Sequence, residues 1–231
     1  MIKKIDIMGI QLDNYTVREA IMIVEKMLSN NVFNTLQEVY MNTLIMAGEE
    51  EDVRTVLETL DHTVIAEKGI LEATGEDSLQ RIHEIEDCDF FYELFKRVER
   101  NYKKVFIIAE TEAAVEEMTQ HLQENFPRIE IVGSRAMEDY MGEAESLVNA
   151  INSETVDVIL SLLPSPTQEK FLLDNKDKLS ANLWYGIGDN KFGLRGKGIS
   201  GGIANKLKVR KLAKHINNYE EKEKANNEFT G

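Results

Sequence analysis

Apolar residues fall in two rhythms along this chain. In the second half, short runs such as Lys104-Val-Phe-Ile-Ile-Ala109 and Val156-Asp-Val-Ile-Leu-Ser-Leu162 have the length and β-branched content of strands buried on both faces of a sheet. Strands are predicted over 104–109, 129–132, 157–162 and 182–187, with helices over 112–125, 143–152 and 167–178 between them. The N-terminal third predicts strand 3–10, alternating through Ile5, Ile7 and Ile10, then helix 16–29, strand 36–41, helix 49–59 and strand 62–66. Asn14 and Thr16 offer caps to the first helix, whose apolar face is Ala20, Ile23, Val24 and Met27. An acidic helical stretch from about Ser78 to Asn101 turns Phe90, Phe91, Leu94 and Phe95 inward. Strand and helix alternating at this spacing argue for βαβ units and a parallel, doubly wound α/β sheet flanked by helices.

Open sheets of this kind bind ligands at the carboxyl ends of their strands, so the residues just after each strand are the candidates. Leu163-Pro-Ser-Pro-Thr-Gln-Glu-Lys170 follows strand 157–162; two prolines stop the strand, and Thr167 is placed to cap a helix that opens with Gln168 and Glu169. That turn reads either as a ligand edge or as a stiff loop whose glutamate suits the helix dipole. Trp184-Tyr-Gly-Ile-Gly-Asp-Asn190 puts Gly186 and Gly188 where backbone can approach a phosphate, though a plain glycine turn reads equally well. The spacing is not Gly-x-Gly-x-x-Gly, which argues against a nicotinamide enzyme. Val64-Ile-Ala-Glu-Lys-Gly69 ends a third strand with a carboxylate, Glu67, beside Lys68; the choices are a general base or a solvated turn. Asn42 follows a fourth strand at the same edge.

Composition narrows the classes. The 231 residues can bury a full core, 42% are apolar, and no apolar run approaches the length of a membrane span. Met1-Ile-Lys-Lys leads straight into a strand pattern rather than a signal peptide, and a single cysteine, Cys88, excludes an intrachain disulfide. Cytoplasmic residence is the expectation. Histidines 62, 83, 121 and 215 lack ligand spacing, so no metal is expected. Residues 1–190 carry 17 basic and 37 acidic side chains, whereas 191–215 carry eight basic ones and no acid. Such a field repels nucleic acid from most of the surface and lets only the C-terminal segment approach anions. There, Ile203, Leu207, Val209, Leu212 and Ile216 make a broken apolar stripe beside Lys206, Lys208, Arg210, Lys211 and Lys214. The stripe suits either an anionic membrane surface or packing on the domain with a basic outer face. The chain divides into 1–190 and a basic appendage with a polar tail, 191–231.

These elements, in this order, resemble the WecG/TagA/CpsF family of bacterial glycosyltransferases over nearly the whole chain. Pro164-Ser-Pro-Thr-Gln-Glu-Lys-Phe-Leu172 is similar to the family's Gly-x-Pro-x-Gln-Glu-Lys motif, the most specific match. Phe126-Pro-Arg-Ile-Glu-Ile-Val-Gly133, Asp89-Phe-Phe-Tyr-Glu-Leu94 and the glycines 186, 188 and 196 support it. The resemblance implies a Rossmann-like fold and an inverting, metal-independent transfer of an N-acetylhexosamine-type sugar from a UDP-sugar to an undecaprenyl-diphosphate-linked acceptor. It places the enzyme peripherally on the inner face of the membrane, in wall or surface polysaccharide synthesis, and is compatible with a homo-oligomer. On it, Glu67 is the base with Asn42 beside it; Gln168, Glu169, Gly186, Gly188, Tyr40 and Lys68 hold substrate; and Lys206, Lys208, Arg210 and Lys211 meet phosphate or membrane.

Several functional positions depart from the family pattern. Asp-Gly becomes Glu67-Lys68, Thr-x-Asn becomes Tyr40-Met-Asn42, and the family's arginine falls on Glu84, a reversal of sign where a diphosphate should sit. The Gly-Gly loop becomes Ala109-Glu-Thr-Glu112, Phe-Asp becomes Lys191-Phe192, and Arg-Ala-Pro becomes Ser200-Gly-Gly202. Two functions follow from the pattern: a divergent transferase, or a catalytically inactive relative that binds a ligand or partner.

Overall fold

A computed structural model describes residues 3–140, 144–188, 208–219 and 221. Six parallel strands form one sheet in the order β4-β3-β8-β7-β5-β6. They are β3 (Asn34–Val39), β4 (His62–Ile65), β5 (Lys104–Ala109), β6 (Glu130–Ala136), β7 (Val158–Leu162) and β8 (Leu183–Gly186). Before them, β1 (Lys4–Ile7) and β2 (Ile10–Asp13) make a separate antiparallel hairpin.

The strand pattern explains the core. Along β5, Val105, Ile107 and Ala109 enter one apolar layer while Phe106 and Ile108 enter another on the opposite face. Adjacent side chains of a strand point to opposite faces, so an unbroken apolar run means that both faces are covered. One face is covered by α1 (Val17–Ser29), α6 (Asp89–Arg100) and α7 (Glu112–Asn125), which contribute Val24, Phe95 and Leu122. The other takes Val56 of α3 (Glu51–Thr59), Leu147 of α8 (Ala144–Asn152) and Phe171 of α9 (Thr167–Asn175), the last stacked on Trp184 with ring centroids 5.8 Å apart. A third cluster joins Ile5, Ile7, Ile10 and Leu12 of the hairpin to α2 (Met41–Ala47) and α4 (Lys68–Thr74). Among the described residues no helix is long and apolar enough to cross a membrane.

The structure departs from the expected elements at four places. The predicted strand 3–10 is a hairpin that turns at Met8 and Gly9, both at positive φ, a two-residue turn that Gly9 alone signals in sequence. The helix α2 is buried nearly all round, at Met41, Leu44, Ile45 and Ala47, so it shows no polar stripe by which periodicity could separate it from strand 36–41. The helix α4, also unpredicted, follows Glu67 directly. The stretch 78–101 is two helices, α5 (Leu79–Glu86) and α6, broken where Cys88 takes a left-handed conformation at φ 54°. The capping of α1 is as expected: Thr16 and Glu19 form a reciprocal capping box.

Candidate functional site

Parallel strands deliver their following residues to one edge of the sheet, and most of the sequence-predicted positions arrive there together. Tyr40 and Asn42 follow β3, Glu67 and Lys68 follow β4, Gly186 ends β8 with Gly188 just beyond, and Gln168 and Glu169 open α9 after β7. The sheet divides this edge in two. Gln37 and Glu38 are consecutive on β3 and therefore point to opposite faces, Gln37 toward α9 and Glu38 toward α1 and α6.

On the α9 side the edge is closed. Gln168 and Glu169, expected at the opening, are only 1% and 0% exposed. Glu169 Oε1 accepts from Gln37 Nε2 at 2.6 Å and from Ser165 Oγ at 2.8 Å, and Ser165 Oγ lies 3.5 Å from Thr43 Oγ1 on α2. Burial pushes the Glu169 carboxyl above the usual glutamate range, against the hydrogen bonds from Ser165 and Gln37. Its place in the first turn of α9 favours the ionised form by only about 0.3–1 kcal/mol, against a several-kcal/mol desolvation penalty for a buried ion. Burial therefore wins. Thr167 is the first helical residue rather than the cap; Pro166 holds the cap position and makes no side-chain cap bond. Gly186 also has a different task from the one expected: a Cβ there would come within 2.9 Å of the Gln168 carboxamide. The glycine makes room for a side chain of the protein. Gly188, at φ +68°, directs its amide to Gln168 Oε1 at 3.4 Å.

On the α1/α6 side the edge opens into a pocket of about 60 Å³, lined among others by Glu38, Tyr40, Arg81, Glu84 and Cys88. Tyr185 Oη donates to Glu38 Oε1 at 2.5 Å, and Tyr40 Oη donates to the other carboxylate oxygen. Withdrawal from water pushes the Glu38 carboxyl up in spite of these two donors. It also drives the Tyr185 hydroxyl well above its usual range, and raises the Cys88 thiol to about 11 with help from the charge on Glu38. Arg81 is 8% exposed; its Nη1 donates to Glu84 Oε2 at 2.6 Å, while its buried Nη2 has no protein partner. The sign reversal expected from Glu84 is thus offset locally, because a cation stands one helical turn earlier and pairs with it. Arg81 and Glu38 are the two site residues that sequence reasoning missed. An i,i+3 Arg-Glu pair entering the position of the family's arginine is a readable signal for Arg81; nothing local marks Glu38.

Glu67 and Lys68 separate. Glu67 Oε2 accepts from the Met41 amide at 2.8 Å, so the carboxylate after β4 caps the helix after β3. Lys68 turns away to Glu86 at 2.5 Å, which raises its ammonium pKa and removes the rivalry expected beside Glu67. Asn42 is exposed in the first turn of α2. Helix N-terminal amides after β5 are also occupied: the Glu112 amide donates to Glu138 Oε1 at 2.7 Å.

Residues 208–219 are helical and pack on the domain, with Leu212 fully buried and Val209, Ile216 and Tyr219 partly so. Arg210, Lys211 and Lys214 are exposed on the outer side, while Lys208 reaches Glu67 Oε1 at 3.7 Å and Lys211 reaches Glu49 at 3.2 Å. The arrangement matches packing on the domain with a basic outer face. Ile203, Lys206, Leu207, Lys191, Phe192, Gly196 and residues 200–202 lie outside the described residues.

Among the described residues no group of three or more His, Cys, Asp or Glu is placed to hold a metal ion. An all-parallel, helix-covered sheet with an acid, an arginine and tyrosines collected around a pocket at its carboxyl edge defines a Rossmann-like protein. The chain belongs to the glycosyl transferase WecG/TagA/CpsF family, whose model matches residues 5–190. Among curated relatives it is similar to the N-acetylglucosaminyldiphosphoundecaprenol N-acetyl-beta-D-mannosaminyltransferase of Staphylococcus aureus strain NCTC 8325, at 24% identity over 187 residues, covering 80% of this chain and 73% of the relative. The enzyme of the same name from strain MRSA252 is 23% identical over the same shares.

Proposed function

We propose that the protein is a glycosyltransferase that moves an N-acetylhexosamine from a UDP-sugar to a lipid-diphosphate-linked acceptor at the inner membrane surface. The observation that carries this reading is Arg81: the pocket at the sheet edge keeps a buried cation with a free N–H although the arginine of the family pattern is gone. In an inverting transfer, the acceptor hydroxyl oxygen bonds to the anomeric carbon as the bond to the UDP oxygen breaks, and the hydroxyl proton passes to a carboxylate. Glu67 is the proposed base, Asn42 and Tyr40 orient the sugar, and Arg81 stabilises the departing diphosphate by charge-assisted hydrogen bonds, with no metal required. The exposed Arg210, Lys211 and Lys214 face the anionic lipid surface, where each basic residue contributes about 1 kcal/mol. The inactive-relative reading loses its main support once Arg81 offsets Glu84.

Calorimetry with UDP and UDP-N-acetylhexosamines tests the proposal. Binding weakened about tenfold or more in Arg81→Lys, which keeps the charge but loses the planar fork, is the expected result. Absence of any heat at millimolar nucleotide would sink it. Flotation with anionic and neutral vesicles tests the surface role, which equal recovery from both would remove.

A further inference from the structure

The bond between Gln37 and Glu169 leaves over one atom on each side. Gln37 Nε2 donates to Glu169 Oε1, yet Gln37 Oε1 and Glu169 Oε2 are both buried with no hydrogen-bond partner. Both are acceptors when the carboxyl is ionised, and buried acceptors without donors are rare in folded proteins. One proton on Glu169 Oε2 changes the count, because a carboxylic acid and a primary amide have complementary donors and acceptors. The amide N–H meets one acid oxygen and the acid O–H meets the amide oxygen. Oε1 remains free to accept from Ser165 as observed.

We infer that Glu169 is a neutral carboxylic acid at physiological pH, paired with the Gln37 carboxamide, and that it acts as a positioning residue for the site. The groups around it fit an uncharged acid. Gln37 reaches it from β3, Ser165 from the turn after β7, and Gln168 from its own helix, and none of these carries a charge. Through Ser165 the contact extends to Thr43 of α2. The adjacent Lys170 points outward to Glu50 at 2.8 Å. The tether thus joins β3, the proline turn and the helix that begins at Met41. Asn42 is next to Thr43 on that helix, and Gln168, which backs the glycine loop, is next to Glu169 itself. The positioning role rests on the functional reading above; the protonation state does not.

Infrared difference spectroscopy of the full chain at neutral pH is the test. A protonated-carboxyl C=O band, shifted in D₂O, is expected to disappear in Glu169→Gln and to persist in Glu38→Gln, the control for the other buried acid. Absence of a band that Glu169→Gln removes overturns the inference. Glutamine reproduces the donor and acceptor set of the protonated acid, so Glu169→Gln is expected to keep nucleotide-sugar affinity within about twofold of wild type, whereas Glu169→Ala loses about tenfold or more. Equal losses in the two variants would remove the neutral-acid role. The pH dependence is a second readout. A carboxyl whose folded pKa is raised contributes stability that is lost as pH rises, so Glu169→Gln should gain on wild type as pH rises from the unfolded glutamate value near 4.5 through the raised folded one. A gain on acidification instead would mean a carboxylate. If wild type binds no nucleotide, the transferase proposal fails while the infrared band still decides the state of Glu169.

Discussion

The two faces of the sheet edge differ in how their polar groups are used. On the α9 side, Gln37 and Ser165 both donate to Glu169, Gln168 is buried beside them, and the Gln-Glu-Lys motif of the family resemblance is intact. On the α1/α6 side, Glu38, Tyr40, Arg81 and Glu84 surround a pocket, and two of the positions that depart from the family pattern, Tyr40 and Glu84, line it. One strand supplies both through consecutive residues. The family motif here is built into internal packing, whereas the residues of the pocket differ from the family pattern with their local charge rebalanced by Arg81.

The largest expected effect is a split between these faces. Glu169→Ala removes the acceptor of the buried Gln37 amide and the half-buried Ser165 hydroxyl, and with about 1–3 kcal/mol for an orphaned buried donor it should lower stability by about 2–3 kcal/mol in urea unfolding. Glu38→Gln retains an acceptor and removes a buried charge, so a change under about 1 kcal/mol is expected, with nucleotide-sugar affinity carrying the effect instead. Equal destabilisation by the two would break the comparison. A glycine pair sharpens it. Gly186→Ala forces a methyl against the Gln168 carboxamide and should cost about 1–3 kcal/mol. Gly188→Ala meets only the Leu163 carbonyl oxygen at 4.0 Å and should cost only the positive-φ strain, about 1–2 kcal/mol. The smallest effect concerns pH below the neutral range. Burial would raise the Asp13 carboxyl, but bonds from His62, the Thr63 amide and Lys4 outweigh it and hold the pKa below the usual value. A depressed pKa means stability present above the unfolded value near 3.8 and lost as pH falls through the folded one, so Asp13→Asn should flatten the acid limb of the stability profile.

Much of this architecture is legible in the chain. The strands β5 and β7 follow from short apolar runs whose length and β-branched content suit strands, and helix α7 from the longer pattern between two of them. The helix α2 is not legible, since an element buried on all sides has no polar face to reveal its turn. The edge residues were found by their place after strands, but a position after a strand does not say which face of the sheet a side chain joins. Gln168 and Glu169 therefore read as ligand contacts and are internal ties, while Arg81 escaped because its helix, α5, follows another helix rather than a strand end.

The Glu67 carboxylate spans from the end of β4 to the first amide of α2. An acid at this position therefore has a reason to persist in any chain that keeps the two strands side by side, whether or not a sugar is ever transferred. Its presence in a distant homologue is a marker of architecture rather than of chemistry. Glutamine, which still accepts the Met41 amide, separates the two histories at this site; alanine merges them by unwinding the helix along with the chemistry.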